Sequence, residues 1–273
     1  MLLISFVLAI TIIVTILLQL ISRTILDKNY VIAKLEQTNY YYETYQYVMS
    51  NFEKYIHPSG LDESVLENII TEEQIKQDTN KILANLYENA KQPITTEQIE
   101  AKLSSQIQIY LATHNVSATQ EALDDFIQTI AREYKNSISH YEYEENVNKG
   151  YVKLLKTIKK AKRLVSVSMS VAIIILVLIN LKSKYQFFVY SGVASFAVGG
   201  FLLILEKYIQ NNIDVKNILI LNQAFSNVLT NCAGQLLHFL FQYSLIFIIS
   251  GMLLIILPNF MHILKASDGP QKN

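Results

Sequence analysis

The sequence is poor in the residues that build disulfide frameworks, metal sites and phosphate-binding loops. Its 273 residues include one cysteine, Cys232, which excludes an internal disulfide and a cysteine-based zinc site. Tryptophan is absent, so any aromatic belt at a membrane interface must come from the 17 tyrosines. There are only eight glycines, and no Walker A loop, G-x-S-x-G turn or glycine-rich dinucleotide turn occurs. These absences argue against nucleotide-dependent and serine-hydrolase chemistry.

The histidines and acidic pairs do not form a catalytic or metal-binding pattern either. His57, His114 and His140 fall at predicted helix ends, and the motif H-E-x-x-H is missing. The adjacent acids Asp124 and Asp125 point about 100° apart on a helix, so they do not share one metal ion or proton. We therefore predict a protein that is not an enzyme and that uses no cofactor.

The formal net charge of zero hides a strong asymmetry along the chain. Residues 23–150 hold 20 of the 23 acidic residues and only 11 of the 23 basic ones, a net charge of −9. The remaining basic residues lie at the edges of long apolar segments. Such an asymmetry is typical of a chain that contacts a membrane on its basic side.

Four apolar segments are long enough to cross a bilayer as helices, which takes roughly 20 residues. We predict an all-α integral membrane protein with four transmembrane helices and a helical soluble domain inserted between the first and second. Residues 1–22 are the predicted signal-anchor helix; a cleaved signal peptide is the alternative. The other predicted spans are residues 164–181, 185–207 and 236–258, the last ended by Pro258.

Residues 23–150 have the pattern of an acidic, water-soluble helical domain. We expect a helix within Asp27 to Ser50, with Asn29 or Asn39 as its N-cap, followed by a break at the sequence around Pro58 and Gly60. Helix starts further along are predicted from three capping-box pairs, each with a hydroxyl residue three positions before a glutamine. The pairs are Thr71 with Gln74, Thr95 with Gln98, and Ser117 with Gln120.

A basic run precedes the second predicted span and is assigned to a juxtamembrane helix, residues 151–163. Its cations favour anionic lipid, so we predict contact with the surface of the lipid bilayer. The alternative is that they only fix the depth of the following span. A nucleic-acid partner is not expected, because no aromatic platform is interleaved with the cations. The run comprises Lys153, Lys156, Lys159, Lys160, Lys162 and Arg163.

Two further patterns lie in the apolar half. Ser191, Ser195 and Gly199 recur every fourth residue, which favours close packing of two helices; chance scatter is the alternative. Gln235, His238 and Gln242 share one helical face and predict either a small polar path or hydrogen bonds to Asn227 and Asn231.

The remaining segments complete the prediction. Residues 208–235 are too polar to span and are expected to form an interfacial or re-entrant amphipathic segment. Glu206 and Lys207 are expected at a helix end, where they reach water. Residues 259–273 form a polar tail.

The orientation follows from the basic residues in short loops, which tend to stay in the cytoplasm. Lys182, Lys184, Lys265 and Lys272 fall on one side, and Lys207 and Lys216 on the other. This count predicts a helical domain outside the cytoplasm, although the basic run argues for the opposite side.

The stretches Asn29-Tyr30-Val31, Asn39-Tyr40-Tyr41 and Ser59 to Leu66 resemble uncharacterised multi-pass membrane proteins of low-GC Gram-positive bacteria. In those proteins a signal anchor precedes a helical extracytoplasmic domain. The resemblance covers about residues 1–110 and implies a location, not an activity. This chain departs from the pattern by lacking a basic region before the first span.

Taken together, these features predict a non-enzymatic membrane protein of the cell envelope that acts in binding, scaffolding or sensing. We expect a membrane-protein partner or a homo-oligomer in addition to the bilayer. A channel or transporter subunit is the second hypothesis, with Gln235, His238 and Gln242 along its path. A membrane-embedded enzyme is the third.

Overall fold

A computed structural model describes residues 2–138, 144–181, 184–214 and 223–267. Within these ranges every regular element is helical, which confirms the predicted all-α fold class. Nine α-helices are described, together with one 3-10 helix, Glu63–Leu66. The α-helices are α1 Leu2–Arg23, α2 Lys28–Gln37, α3 Tyr40–Ser59, α4 Glu72–Glu88, α5 Glu97–His114, α6 Gln120–Ile138, α7 Glu144–Ile179, α8 Lys184–Asn212 and α9 Gln223–Ser267.

The chain divides into two compact units. The apolar unit comprises Met1–Asp27, Leu155–Ile218 and Leu229–Asn273. The polar unit comprises Lys28–Leu154 together with Leu219–Val228. The polar unit therefore draws on two stretches of sequence, whereas we predicted one continuous insertion between the first and second spans.

Four helices are long and apolar enough to cross a membrane, as predicted. They are Leu2–Arg23, Lys149–Ile179, Tyr185–Asn212 and Gln223–Ile256, with mean hydropathies between 2.0 and 2.8. Only 11% to 33% of their most apolar windows are buried within the protein. Most of this apolar surface is thus left for the surroundings to cover.

The apolar unit has a small core of its own. Leu176 of α7 and Val198 and Leu202 of α8 are almost fully buried in it, and α1 contributes Leu8 and Leu20. Helices α1 and α8 pack against each other.

The polar unit is built around α3, which packs against α2, α4, α6 and the 3-10 helix. Val48, Phe52 and Ile56 recur every fourth residue on α3 and are fully buried. Helices α4, α5 and α6 bury residues that recur at helical spacing along their sequences. These residues are Ile75, Leu103, Ile107, Ile130 and Tyr134.

The first helical stretch of the polar unit is divided in two. The stretch from Asp27 to Ser50 forms two helices, α2 and α3. Asn39, one of the two predicted N-cap residues, is the N-cap of α3 and has a left-handed conformation with φ of 53°. Asparagine tolerates this conformation better than most residues. At the other end α3 continues through Pro58 and stops at Gly60, whose φ of 75° suits glycine.

One of the three predicted capping hydrogen bonds is confirmed. The Thr71 hydroxyl accepts a hydrogen bond from the Gln74 N–H at 3.2 Å. The other two predictions were wrong by one and two residues. Helix α5 begins after Thr96, and at the start of α6 Thr119 accepts from the Ala122 N–H at 3.3 Å. Both stretches offer more than one hydroxyl residue, so local sequence does not choose between them.

Several predicted boundaries in the apolar half are absent from the structure. The juxtamembrane helix and the second span are one helix, α7, because no breaker separates them. Of the predicted interfacial segment 208–235, residues 208–212 belong to α8 and residues 223–235 belong to α9. Pro258 lies inside α9 and does not end it. Three parts of the prediction lie outside the described residues: 182–183 of the tight loop expected after the second span, 215–222 of the expected interfacial segment, and 268–273 of the predicted tail.

Candidate functional site

A polar cleft of about 870 Å³ lies in the apolar unit, between the end of α8 and the first turns of α9. Helix α8 supplies Glu206, Lys207 and Gln210, and Asp214 follows it. Helix α9 supplies Thr230 and His238 together with the apolar residues Leu237 and Phe241. The cleft thus combines two carboxylates and one lysine with neutral polar and apolar groups.

Glu206 is the unusual residue of this cleft, because it is only 5% exposed. Its Oε2 atom accepts no hydrogen bond from the part of the chain that the structure describes. The Lys207 Nζ atom lies 3.4 Å from Oε2, but it donates a hydrogen bond to Gln210 at 3.0 Å. A buried carboxylate oxygen without a donor is costly and therefore favours a cation.

The predicted position of Glu206 at a water-exposed helix end was wrong. Helix α8 runs six residues further, to Asn212. Val198, Leu202 and Glu206 recur every fourth residue, so the face that buries the first two also buries the third. Ile209 continues this face and packs on the same core. This continuing period is the sequence signal that would have placed Glu206 correctly.

The structure brings together two members of the predicted polar stripe. The Gln242 side-chain nitrogen lies 2.9 Å from Nε2 of His238. Because an amide nitrogen only donates, Nε2 of His238 is the acceptor in this arrangement. His238 lines the cleft, whereas Gln235 is not among its lining residues.

Asn227 does not bond to this stripe. Its amide donates to both carboxylate oxygens of Glu43 in α3, at 2.9 and 3.0 Å. This contact explains why residues 223–228 belong to the polar unit.

The predicted small-residue stripe lies on α8, and its close neighbour is α9. A Cβ atom added at Gly199 would lie 2.7 Å from the Ser244 carbonyl oxygen and from the Ile248 backbone nitrogen. Gly192 and Gly251 form a second close approach, which the sequence analysis missed. Ser191 and Ser195 are half-buried.

The six residues of the basic run are all exposed on α7. Four of them, Lys156, Lys159, Lys160 and Arg163, line one groove together with apolar residues of the same helix. Lys153 and Lys162 are not part of that groove.

The polar unit contains a buried charge network. The Asp78 side chain is 0% exposed and forms an ion pair with Lys81 at 2.7 Å. Its carboxylate also accepts hydrogen bonds from the Tyr134 hydroxyl at 2.7 Å and from the Gln74 amide at 3.0 Å. Three donors on two helices thus surround one buried carboxylate, and the arrangement ties α4 to α6.

The tyrosine-rich start of α3 has a buried side and an exposed side. Burial, assisted by the negative charge of Glu36 and by Tyr40, raises the pKa of Tyr41 to about 12. Tyr41 therefore stays neutral at physiological pH. Tyr42 and Tyr47 point outward, 53% and 41% exposed.

Among the described residues no three His, Cys, Asp or Glu side chains are grouped closely enough to hold a metal ion. Comparison with protein-family models, with curated proteins and with solved structures finds no match for this chain. The fold thus defines a broad class, an all-helical protein with four helices able to span a membrane.

Proposed function

We propose that this chain is a non-enzymatic, multi-pass protein of the cell membrane whose polar unit binds, scaffolds or senses a partner. In this proposal residues 1–22 form a signal anchor, and the polar unit is a soluble helical domain in a larger membrane complex. The uncovered apolar surface of the four long helices supports the membrane location, because a bilayer would cover it.

The observation that carries the binding role is a pair of exposed tyrosines in the first turns of α3. Tyr42 and Tyr47 are exposed and lie about 140° apart around the helix, while Val48 and Phe52 anchor it in the core. Tyrosine is enriched at protein interfaces because its large, stiff ring is apolar and its hydroxyl can bond to a partner. Two such rings on a firmly packed helix form a suitable recognition surface.

In the proposed topology the polar unit lies outside the cytoplasm. The short-loop lysines support this side, as does the resemblance to proteins with a helical extracytoplasmic domain. The six cations of the basic run support the opposite side. The experiment that tests the binding role is therefore designed to determine the side as well.

The test uses Tyr42→Cys and Tyr47→Cys, each in a Cys232→Ser background that removes the native thiol. Intact cells are treated with a membrane-impermeant maleimide that carries a photoactivatable group, and are then irradiated. We expect both cysteines to be labelled without permeabilisation and to give the same discrete cross-linked species. A species of twice the chain mass would identify a homo-oligomer, and any other mass a different partner.

Gln108→Cys is the matched control, because Gln108 is exposed on α5 of the same unit. We expect it to be labelled equally but to yield no discrete product. Labelling only after permeabilisation would contradict the extracytoplasmic orientation. Labelling without a discrete product at Tyr42 and Tyr47 would contradict the binding role.

A second candidate function, a channel or transporter subunit, is favoured by one observation, the buried Glu206 carboxylate at the polar cleft. Ionisable groups at the edge of membrane spans are expensive to bury and commonly mark ion or substrate paths. Phe241 also lines the cleft, and the face of an aromatic ring attracts cations.

This candidate predicts that Glu206→Gln and His238→Leu each lower cation flux by at least about tenfold in proteoliposomes, because the loss of the carboxylate charge or of the polar imidazole is expected to cost about 1.4 kcal/mol or more. Asn231→Leu is the control, since Asn231 is exposed on α9 and does not line the cleft. Unchanged flux in both cleft variants, or no flux above empty liposomes, would exclude the transport role.

A further inference from the structure

The groove on α7 combines a cationic end with an apolar end along one helix face. It has a volume of about 630 Å³. Lys156, Lys159, Lys160 and Arg163 line its first part. Leu164 and Val167 line the part that follows, and they are 65% and 64% exposed. From Lys156 to Val167 these residues cover twelve positions, or about 17 Å of helix.

The four cations of this groove are not neutralised by any residue in the described part of the chain. They are exposed, and none forms an ion pair with a described residue. The sequence from Lys149 to Ile179 contains no acidic residue. Like charges three and four positions apart on a helix repel each other, so this face is stabilised by an external anion.

The apolar residues that follow the cations, Leu164 and Val167, determine which kind of anion fits the groove. A free phosphate ion would use the cations and leave Leu164 and Val167 exposed. An anionic phospholipid would use both parts, since its phosphate is joined to acyl chains that need an apolar surface.

We propose that this groove binds a single anionic phospholipid. The phosphate contacts Lys156, Lys159, Lys160 and Arg163, and the start of an acyl chain lies along Leu164 and Val167. The proposal rests on the proposed membrane location of the apolar unit. If the lysines only fixed the depth of the span, the cations on every side of α7 would contribute alike. The lipid-binding proposal instead assigns binding to the cations on one face of α7.

Two lysines two positions apart provide the matched test. Lys160 lies in the groove, and Lys162 lies about 200° further around the helix, outside it. Both are exposed, and Lys→Gln removes the same charge at either position. Full-length protein in a zwitterionic detergent is titrated with dioleoylphosphatidylglycerol, and binding is read by native mass spectrometry. Dioleoylphosphatidylcholine and inorganic phosphate are the comparison probes.

We expect one phosphatidylglycerol molecule to bind saturably, with phosphatidylcholine much weaker. Lys160→Gln should weaken binding about fivefold, because one basic residue near a lipid surface contributes about 1 kcal/mol. Lys156→Gln combined with Lys160→Gln should weaken it by about 25-fold, and Lys162→Gln by less than twofold. Helical circular dichroism of each variant checks that the fold is retained.

Equal losses in Lys160→Gln and Lys162→Gln would overturn the proposal in favour of non-specific attraction. Equal affinity for the two lipids would overturn it as well, and displacement by millimolar phosphate would identify a free-phosphate site. Membrane fractionation distinguishes a failure of the lipid-binding proposal from a failure of the proposed membrane location. A protein found in the membrane fraction without lipid selectivity contradicts only the groove, whereas a protein released without detergent contradicts the location itself.

Discussion

Replacing Asp78 with alanine is expected to lower the free energy of unfolding of the polar unit by about 2–4 kcal/mol, because a fully buried carboxylate that accepts from three donors is lost. The substitution leaves the Lys81 ammonium without its carboxylate and the Tyr134 hydroxyl without its acceptor. Tyr134 is fully buried, so water does not replace the lost acceptor there. The damage therefore extends from α4 to α6.

The measurement is hydrogen exchange of the full-length protein in detergent, followed at the amides of α4 and α6. Protection there should fall strongly in Asp78→Ala. Tyr134→Phe removes only one donor to the carboxylate and should cost about 1.5–3 kcal/mol. Asp125→Ala is the matched control, because Asp125 is exposed and surface substitutions usually stay within about 0.5 kcal/mol. Equal protection in Asp78→Ala and Asp125→Ala would contradict the structural role of the network.

The sequence does not reveal this network, because its partners are far apart along the chain. Asp78 and Tyr134 are separated by 56 residues. The helical period of α6 does identify Tyr134 as a core residue. Nothing local to α4 shows that a carboxylate faces it, and an aspartate on a helix surface is the commoner arrangement.

What the sequence does predict are the elements that depend on local period and composition. The all-α class and the four long apolar helices follow from runs of apolar residues, and the structure confirms both. The predicted helix boundaries are wrong where the local sequence is compatible with two different structures. Asn39 is equally compatible with a helix interior and with the left-handed turn that it forms. Pro258 is a stop signal in water, but a helix among apolar neighbours tolerates it.

The polar cleft shows a different limit of sequence reasoning. His238 and Gln242 were grouped correctly on one helix face, because a spacing of four residues fixes that relation. Their neighbour Glu206 lies on another helix, and its relation to them depends on how α8 and α9 pack. Glu206 is buried because it falls in the apolar period of Val198 and Leu202, even though its side chain is charged.

The close approach of α8 and α9 predicts opposite effects for two adjacent glycines. Gly199→Ala would bring a Cβ atom to 2.7 Å from the Ser244 carbonyl oxygen and the Ile248 nitrogen. Both are backbone atoms, so no side chain can move aside and the helices must separate. We expect a loss of stability of about 1–3 kcal/mol, as for other overpacked sites. Gly200→Ala meets no atom within 4 Å. It should be neutral or stabilise the helix by up to about 1 kcal/mol, because alanine favours helix over glycine.

The comparison is made on the full-length protein in mild detergent, by thermal unfolding of each variant alongside the unmodified chain. Gly251→Ala provides an independent check from the other helix, since its Cβ would lie 2.6 Å from the Phe196 nitrogen. It should resemble Gly199→Ala and not Gly200→Ala. Gly199→Ala and Gly200→Ala could instead shift the thermal unfolding midpoint in the same direction and by the same amount. That result would contradict the close contact of α8 and α9 at Gly199. Because propensity alone would favour alanine at every one of these positions, a loss at Gly199 and Gly251 can only come from the contact between the two helices.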